Sequence, residues 1–559
     1  MTQTPDINIS ATSAPPRASV TLIFDRAVCP FEEVFELTIT MEPACIRHHD
    51  LPGASRLFLD FSYHFDRVSR FYSHNPHDPG TLAAAAREID YPADRRAALV
   101  KALTPLNGPS ASLALLAQPG TVAVVTGQQV GLFSGPAYTI YKALTAVRTA
   151  KDLSAQGIPA VPVFWLATED HDFPEVNHAW VFGPSHQPVR VAVEAPVEFA
   201  GRPRPVGGIP VAHPPIDELR KALAGFPHAD EVAELVEQSY RPGITMGAGF
   251  QALIKSILGG MGLIFIDPLE PAIREIAAPF MVSALEAAPE LKAKLLERNK
   301  ELEASGYHAQ VHIEPKTSLF FLLDQGERTT LRHKDSEYAQ LRDRAHDISP
   351  NALLRPVMQD YLMPTVAYVG GPAELAYLAQ SRALYDTLLG RMPVVMARAG
   401  FTLLDTRAAK LLARYKLTVA QTLVYEESLK DRIAAALVPP TVESAFDLAM
   451  KEIGRHLSGL REEIAAFDPT LGASLAKSGS KMVYQMEKTR KKVAREILRR
   501  DARAAADANY LLGLLYPHRH LQERFYSILP FLANHGTQVI EPIYQAIHTD
   551  CPDHRVLTF

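Results

Sequence analysis

Cysteine is scarce in this chain: Cys29, Cys45 and Cys551 are the three in 559 residues, and they show no CxxC spacing. That excludes a disulfide framework and a zinc ribbon, and it suits a reducing cytosol. Apolar runs are short, well below the roughly 20 residues of a membrane helix. The first residues lack the charged-then-apolar pattern of a secretion signal. A cytoplasmic protein without a membrane partner is therefore expected. Charge excess is missing too, since a net charge of −5 leaves no global footprint for nucleic acid or a membrane surface. The dinucleotide fingerprint GxGxxG and the lysine-bearing phosphate loop do not occur. No recognised metal-ligand spacing is present, so no metal is expected. Repeats of solenoid period are absent.

What is present is ordinary globular composition, 47% hydrophobic and 21% charged, over a length that calls for two or three domains. The stretch 121–178 organises the rest. Residues 121–125 form a β-branched apolar run, the mark of a buried strand. A glycine-rich turn follows, with Thr126, Gly127, Gln128, Gln129, Gly131, Ser134 and Gly135. From 136 to 153 the apolar spacing is helical, with Ile140, Leu144, Val147 and Ala150 on one face. A second apolar strand at 161–166 runs straight into Glu169, Asp170, His171 and Asp172. This is a βαβ unit, and both polar clusters fall at carboxyl ends of strands, where open parallel sheets bind ligands.

Further apolar strands are expected near 262, 365 and 393, with helices between. Five strands make a doubly wound parallel sheet, a Rossmann-like α/β core. The proline-rich stretch 184–215 and a small β element over 311–323 and 329–332 interrupt it as two insertions. An aromatic group at 51–72 is expected to pack on the sheet, and 81–118 reads as two helices. Residues 1–18, rich in Thr, Ser, Ala and Pro, read as disordered. Beyond 401 the chain turns helical. Phe446, Met450, Ile453, Leu457, Leu460, Ile464 and Phe467 alternate spacings of four and three, a heptad seam. Pro469 and Gly472 mark a break, and Met482, Met486, Val493 and Ile497 suggest an antiparallel return helix. A basic stretch at 488–503 reads as a solvated helix face.

Three constellations carry chemistry. Glycines of the 126–135 turn let backbone amides approach a ligand, and the helix behind it turns its positive end toward the turn. Tyr138 adds a side-chain donor. The Glu169–Asp172 cluster, with Glu175, Asn177 and His178 beside it, suits general acid–base work or amine recognition. Tyr368, Gly370, Gly371, Glu374 and Tyr377 follow the fourth strand, with Arg355, Gln359 and Tyr361 upstream and Arg398 after the fifth. Trp165 sits in the second strand. Ordinary turns, ion-paired strand caps and core packing are the plain alternatives for each.

The segments TGQQVGLFSGPAYTIYKA at 126–143, VPVFWLATEDHDFPEVNH at 161–178 and SPNALLRPVMQDYLMPTVAYVGGPAELAYLAQ at 349–380 resemble the bacillithiol-biosynthesis family BshC, a cysteine-adding ligase. The shorter stretches at 306–311 and 521–532 are similar as well, and the resemblance covers roughly 45–559. It implies a Rossmann-like core similar to class I aminoacyl-tRNA synthetases, two connecting-peptide insertions and a coiled-coil domain that mediates homodimerisation. It also implies joining of cysteine to the amino group of glucosaminyl-malate. The synthetase signatures HIGH and KMSKS are missing, so activation by ATP or another adenine nucleotide rests on fold similarity. The implied division is an N-terminal extension (1–44), core (45–183), first insertion (184–258), core strand and helix (259–290), second insertion (291–348), core (349–402), helical coiled coil (403–508) and a segment packing back on the core (509–559). His171, Asp172, Asp170 and Glu169 are the catalytic candidates, with Asp170 orienting the imidazole of His171. Thr126, Gly127, Gln128, Gln129, Gly131, Ser134, Gly135, Tyr138, Tyr368, Gly370, Gly371 and Glu374 are assigned to the nucleotide. Trp165, Asn177, His178, Arg355, Tyr361 and Arg398 are assigned to substrate. An enzyme acting on another amine or thiol and a non-catalytic nucleotide-binding scaffold stay open as alternatives.

Overall fold

The computed structural model describes residues 44–194, 196, 201–331 and 335–559. Most of the N-terminal extension, including 1–18, lies outside the described residues, as do Arg332 and part of the proline-rich stretch.

Five strands form the central sheet: Val122–Gln129 (β1), Ala160–Ala167 (β2), Ile264–Ile266 (β3), Thr365–Gly370 (β4) and Val394–Ala397 (β5). Their order across the sheet is β5-β4-β1-β2-β3, and every pairing is parallel. Parallel strands are covered on both faces, which is why these runs are apolar at successive positions rather than alternately. Val122 through Gly127 are all buried. The helix Tyr138–Ala155 (α1) follows β1 and the helix Pro372–Leu388 (α2) follows β4. Tyr141 and Leu144 of α1 join the hydrophobic core on one face, and Leu375 and Leu378 of α2 join the core on the other. The chain order reverses between β1 and β4, so the crevice above their carboxyl ends is the topological switch point.

Phe58, Phe61, Phe71 and Tyr72 are buried in the same core as α2, as their aromatic character led one to expect. Residues 81–118 form three helices rather than two, Thr81–Arg87, Ala93–Asn107 and Ala111–Leu116: Pro92 stands at the start of the second, and Gly108, at φ +68°, ends it. The first interruption holds the hairpin His178–Phe182 and Pro188–Ala192, then three helices ending at Ile257. The second holds an antiparallel sheet of Phe320–Asp324, Glu327–Thr330 and Ile348–Pro350. Its first strand starts at Phe320, later than the alternation from 311 suggested. The C-terminal segment returns to the core: Ser527 Oγ donates to the Phe133 carbonyl at 3.0 Å, and the Gln522 amide bridges the N–H and carbonyl of Leu403 at 2.7 and 2.9 Å.

Two long helices, Pro440–Phe467 (α3) and Pro469–Arg500 (α4), form an arm. Asp468 alone breaks them, its extended backbone capping α4 through Oδ1. Gly472 lies inside α4 and is not part of the break. It and Gly479 are buried against α3, where a Cβ would meet the Ala465 Cβ at 2.8 Å and the Leu457 Cδ1 at 3.0 Å. The helices therefore close through small residues. Phe446, Ile453, Met486 and Val493 are half-buried, whereas Leu460, Phe467 and Met482 are exposed and do not belong to the closed seam.

Candidate active site

A cavity of about 620 Å³ opens at the switch point, lined from the ends of β1, β2 and β4 and from the second interruption. Lys142 of α1 anchors its floor. The Lys142 side chain is 1% exposed, and its Nζ lies 2.6 Å from Glu374 Oε2 and 3.1 Å from Gln128 Oε1, with the Gly127 carbonyl as a third acceptor. Glu374 in turn accepts from the Tyr368 hydroxyl at 2.6 Å and from the Gly371 N–H at 2.8 Å, the latter closing the first turn of α2. Burial pushes the Glu374 carboxyl up, but Lys142 and these donors more than offset it and hold it below the usual carboxylate range. Burial lowers Lys142, and Glu374 restores part of the loss.

Arg355 enters the cavity beneath Tyr368. Its guanidinium donates to Gln359 Oε1 and to the Tyr377 hydroxyl, each at 2.9 Å, and lies 5.9 Å from the Trp165 ring. These partners are neutral. Burial disfavours its charge, and the phenol oxygens of Tyr377 and Tyr368 with Glu374 more than restore it. Arg398 forms a two-pronged pair with Glu523 of the C-terminal segment, at 2.9 and 2.6 Å, and its guanidinium lies 5.2 Å from the Tyr138 ring. Tyr138 accepts from the Gln128 amide at 3.2 Å.

On the β2 side the carboxylates gather around one amide. Gln129 Nε2 donates to Asp170 Oδ2 at 2.7 Å and to Glu175 Oε2 at 2.9 Å. Asp170 Oδ1 accepts the backbone N–H of His171 at 2.7 Å and of Asp172 at 3.3 Å. Asp170 therefore does not orient the imidazole. Arg328, from the second interruption, does so: its Nη1 donates to His171 Nδ1 at 3.1 Å, and the Phe321 ring lies 5.8 Å from the imidazole. Asp172 is exposed and caps the short helix Phe173–Val176 by accepting the Glu175 N–H. Glu169 is buried in an ion pair with Arg274 at 2.9 Å, and burial raises its carboxyl despite that partner.

Of the expected nucleotide residues, Gly127, Gln128, Gln129, Tyr138, Tyr368, Gly371 and Glu374 line this cavity. Thr126, Gly131, Ser134 and Gly135 do not. Thr126 Oγ1 donates to the Val369 carbonyl and ties β1 to β4. The 130–137 turn is core: Val130, Leu132, Phe133 and Ser134 are fully buried, and the Ala137 N–H at the start of α1 donates to the Tyr526 carbonyl at 2.7 Å. The Ala137 amide at that helix end is thus taken by protein and is not offered to an anion. A Cβ on Gly131 would lie 3.0 Å from the Gly135 Cα, and Gly135 has φ +62°, so both glycines serve the fold of the turn. Gly370 faces a second cavity of about 390 Å³ on the far side of Arg398.

Of the expected substrate residues, Trp165, Arg355 and Arg398 line the first cavity. Asn177 and His178 belong to the first interruption, where the Asn177 amide nitrogen donates to the Val193 carbonyl at 3.1 Å and its Oδ1 accepts from His178 Nδ1 at 3.1 Å. Tyr361 is stacked under Arg95 at 3.7 Å and packs on Phe280. Lys142, Arg328, Glu523 and Arg524 were not read from the sequence. Lys142 carried a signal, being the one charged residue between Pro136 and Val147 on an otherwise apolar helix. The others come from distant segments.

Residues 41–399 match the family model described as bacillithiol biosynthesis BshC, N-terminal Rossmann-like domain, and residues 401–559 match its C-terminal coiled-coil domain. Proteins named "putative cysteine ligase BshC" are similar along most of the chain. That of Solibacter usitatus is 52% identical over 526 residues, covering 92% of this chain and all of the relative. That of Koribacter versatilis is 33% identical, covering 92% and 100%, and that of Salinibacter ruber is 33% identical, covering 90% and 96%.

Proposed function

The chain belongs to the BshC family of bacillithiol biosynthesis, and from that premise we propose that it is a ligase forming an amide between the carboxyl group of cysteine and the amino group of glucosaminyl-malate. The division of charge in the cavity carries the reading. Asp170 and Glu175 stand together on the β2 side with only an amide between them, a setting that attracts an ammonium and can take the proton it releases. Arg355, whose hydrogen bonds among the described residues go to the neutral Gln359, Tyr377 and Tyr368, is the cation for a substrate carboxylate. Lys142 and Glu374 neutralise each other and hold the two helices that frame the crevice.

A carboxylate is a poor electrophile at neutral pH, so an adenine nucleotide, ATP in the simplest case, is the proposed co-substrate. The cavity has the volume of a small-molecule site. Arg398 and Arg524 stand in its wall beside the first turn of α2, cations suited to phosphate groups. The reaction belongs in the cytoplasm. The exposed Leu460, Phe467, Leu471 and Met482 on the arm suit pairing with a second copy. The test is to supply purified protein with glucosaminyl-malate, cysteine and ATP and follow bacillithiol by mass. Product formed at the same rate without protein contradicts the proposal.

A further inference from the structure

Two of the three cysteines meet, although they stand near opposite ends of the described chain. Cys45 lies in the strand Ala44–Ile46, which pairs with His554–Thr558, Cys45 opposite Arg555. The loop before that C-terminal strand brings the Cys551 thiol beside Cys45, where burial together with Cys551 raises the Cys45 thiol above its ordinary range, and Arg555, opposite Cys45, donates to the Cys551 carbonyl at 3.2 Å. The loop is held against the same N-terminal segment just beyond the contact: His48 Nε2 lies 2.7 Å from the Pro552 carbonyl, and the Tyr63 hydroxyl donates to Asp553 Oδ1 at 2.7 Å. Cys45 is exposed and Cys551 half-exposed, so both sulfurs are within reach of a small reagent.

We propose that Cys45 and Cys551 form a reversible thiol–disulfide site that takes low-molecular-weight disulfides. The thiolate of one cysteine attacks a sulfur of the reagent RSSR and releases one RS⁻, leaving a mixed disulfide. The thiolate of the second cysteine attacks the protein sulfur and releases the other RS⁻. Each cysteine gives up a proton and each RS⁻ takes one, so two protein thiols and RSSR become one protein disulfide and two RSH. The site sits behind the second cavity, which His48 and His554 line, and Cys551 shares a small pocket with Arg398. Oxidation would therefore lock the wall behind the Arg398–Glu523 pair. The site stands without the ligase reading. That reading adds only the natural reagent, the disulfide of the thiol product.

The test uses the full chain and cystine, in wild type and in Cys29→Ser, Cys45→Ser and Cys551→Ser variants. Wild type and Cys29→Ser are expected to become two hydrogens lighter, to yield a peptide joining Cys45 to Cys551, and to melt at a higher temperature until dithiothreitol reverses both changes. Cys45→Ser and Cys551→Ser are expected to keep one half-cystine on the remaining cysteine of the pair. A wild-type chain that keeps a stable half-cystine adduct, that crosslinks through Cys29 instead, or that stays unmodified overturns the proposal. None of these readouts depends on ligase turnover.

Discussion

The ammonium of Lys142 lies 2.6 Å from Oε2 of Glu374, so the helices that follow β1 and β4, on opposite faces of the sheet, are tied across the switch point by one buried ion pair. Removing one partner of such a pair leaves an uncompensated charge and costs about 3–5 kcal/mol. Lys142→Met is expected to lower the melting temperature sharply. Adding Glu374→Gln should recover part of the stability and none of the activity. Thermal unfolding beside turnover checks this, and additive losses in the double variant would show that the two residues do not act as a pair.

The acidic side of the cavity is expected to govern the amine substrate. Asp170→Asn and Glu175→Gln each remove a charge whose side-chain donor here is the neutral Gln129 amide. Each should weaken apparent affinity for the amine by roughly tenfold or more, with the KM for cysteine little changed. Steady-state kinetics with each substrate varied in turn checks the split.

Acid is expected to destabilise the protein through His554. Burial lowers its pKa from 6.5 to about 4, so the unfolded chain takes up a proton first as pH falls. Glu523, which faces the ring, pulls the other way, while His48, Arg398 and Arg555 reinforce the shift. The stability carried by the neutral ring is complete above about pH 6.5 and lost toward pH 4, on the order of 3 kcal/mol in all. His554→Asn should flatten the fall in melting temperature over that window relative to wild type. An unchanged slope would assign the acid sensitivity to other groups.

Much of the fold was legible because β1, β2 and β4 are apolar at successive positions, which a strand buried on both faces requires, and because Pro136, Gly157 and Pro159 mark the ends of the helix region between them. Part of the site was legible for the same reason, since Gln128 lies at the end of β1 and Asp170 and Glu374 come within four residues of the ends of β2 and β4. The glycine turn misled: Val130, Leu132 and Phe133 between its glycines mark a buried segment, and spacing alone does not say whether a glycine faces ligand or core. Arg328 and Glu523 were beyond reach because their partners, His171 and Arg398, lie more than a hundred residues away.

That correction is itself testable. Gly135→Val forces a β-branched residue to φ +62° inside the core. It is expected to lower the melting temperature and to leave nucleotide affinity in the folded fraction unchanged. Calorimetric titration with ATP checks it, and a selective loss of affinity would return the turn to the binding site.

Gly479→Val should open the arm, since its Cβ would already meet Leu457 at 3.0 Å, and helicity and melting temperature should fall. Phe467→Asp, at a side chain 86% exposed, should leave helicity intact and shift sedimentation toward the monomer. A Phe467→Asp protein of unchanged mass in solution would move the proposed pairing surface elsewhere.

The central claim is that ligation takes place in the cavity above β1 and β4, with Arg355 as the cation for substrate. The most direct measurement is the initial rate of bacillithiol formation from cysteine, glucosaminyl-malate and ATP by wild type, Arg355→Met and Gly131→Ala, each shown folded by circular dichroism. Product from wild type, a loss of about a hundredfold or more in Arg355→Met and near-normal turnover in folded Gly131→Ala are expected. No protein-dependent product from wild type, or equal rates in wild type and Arg355→Met, would contradict it.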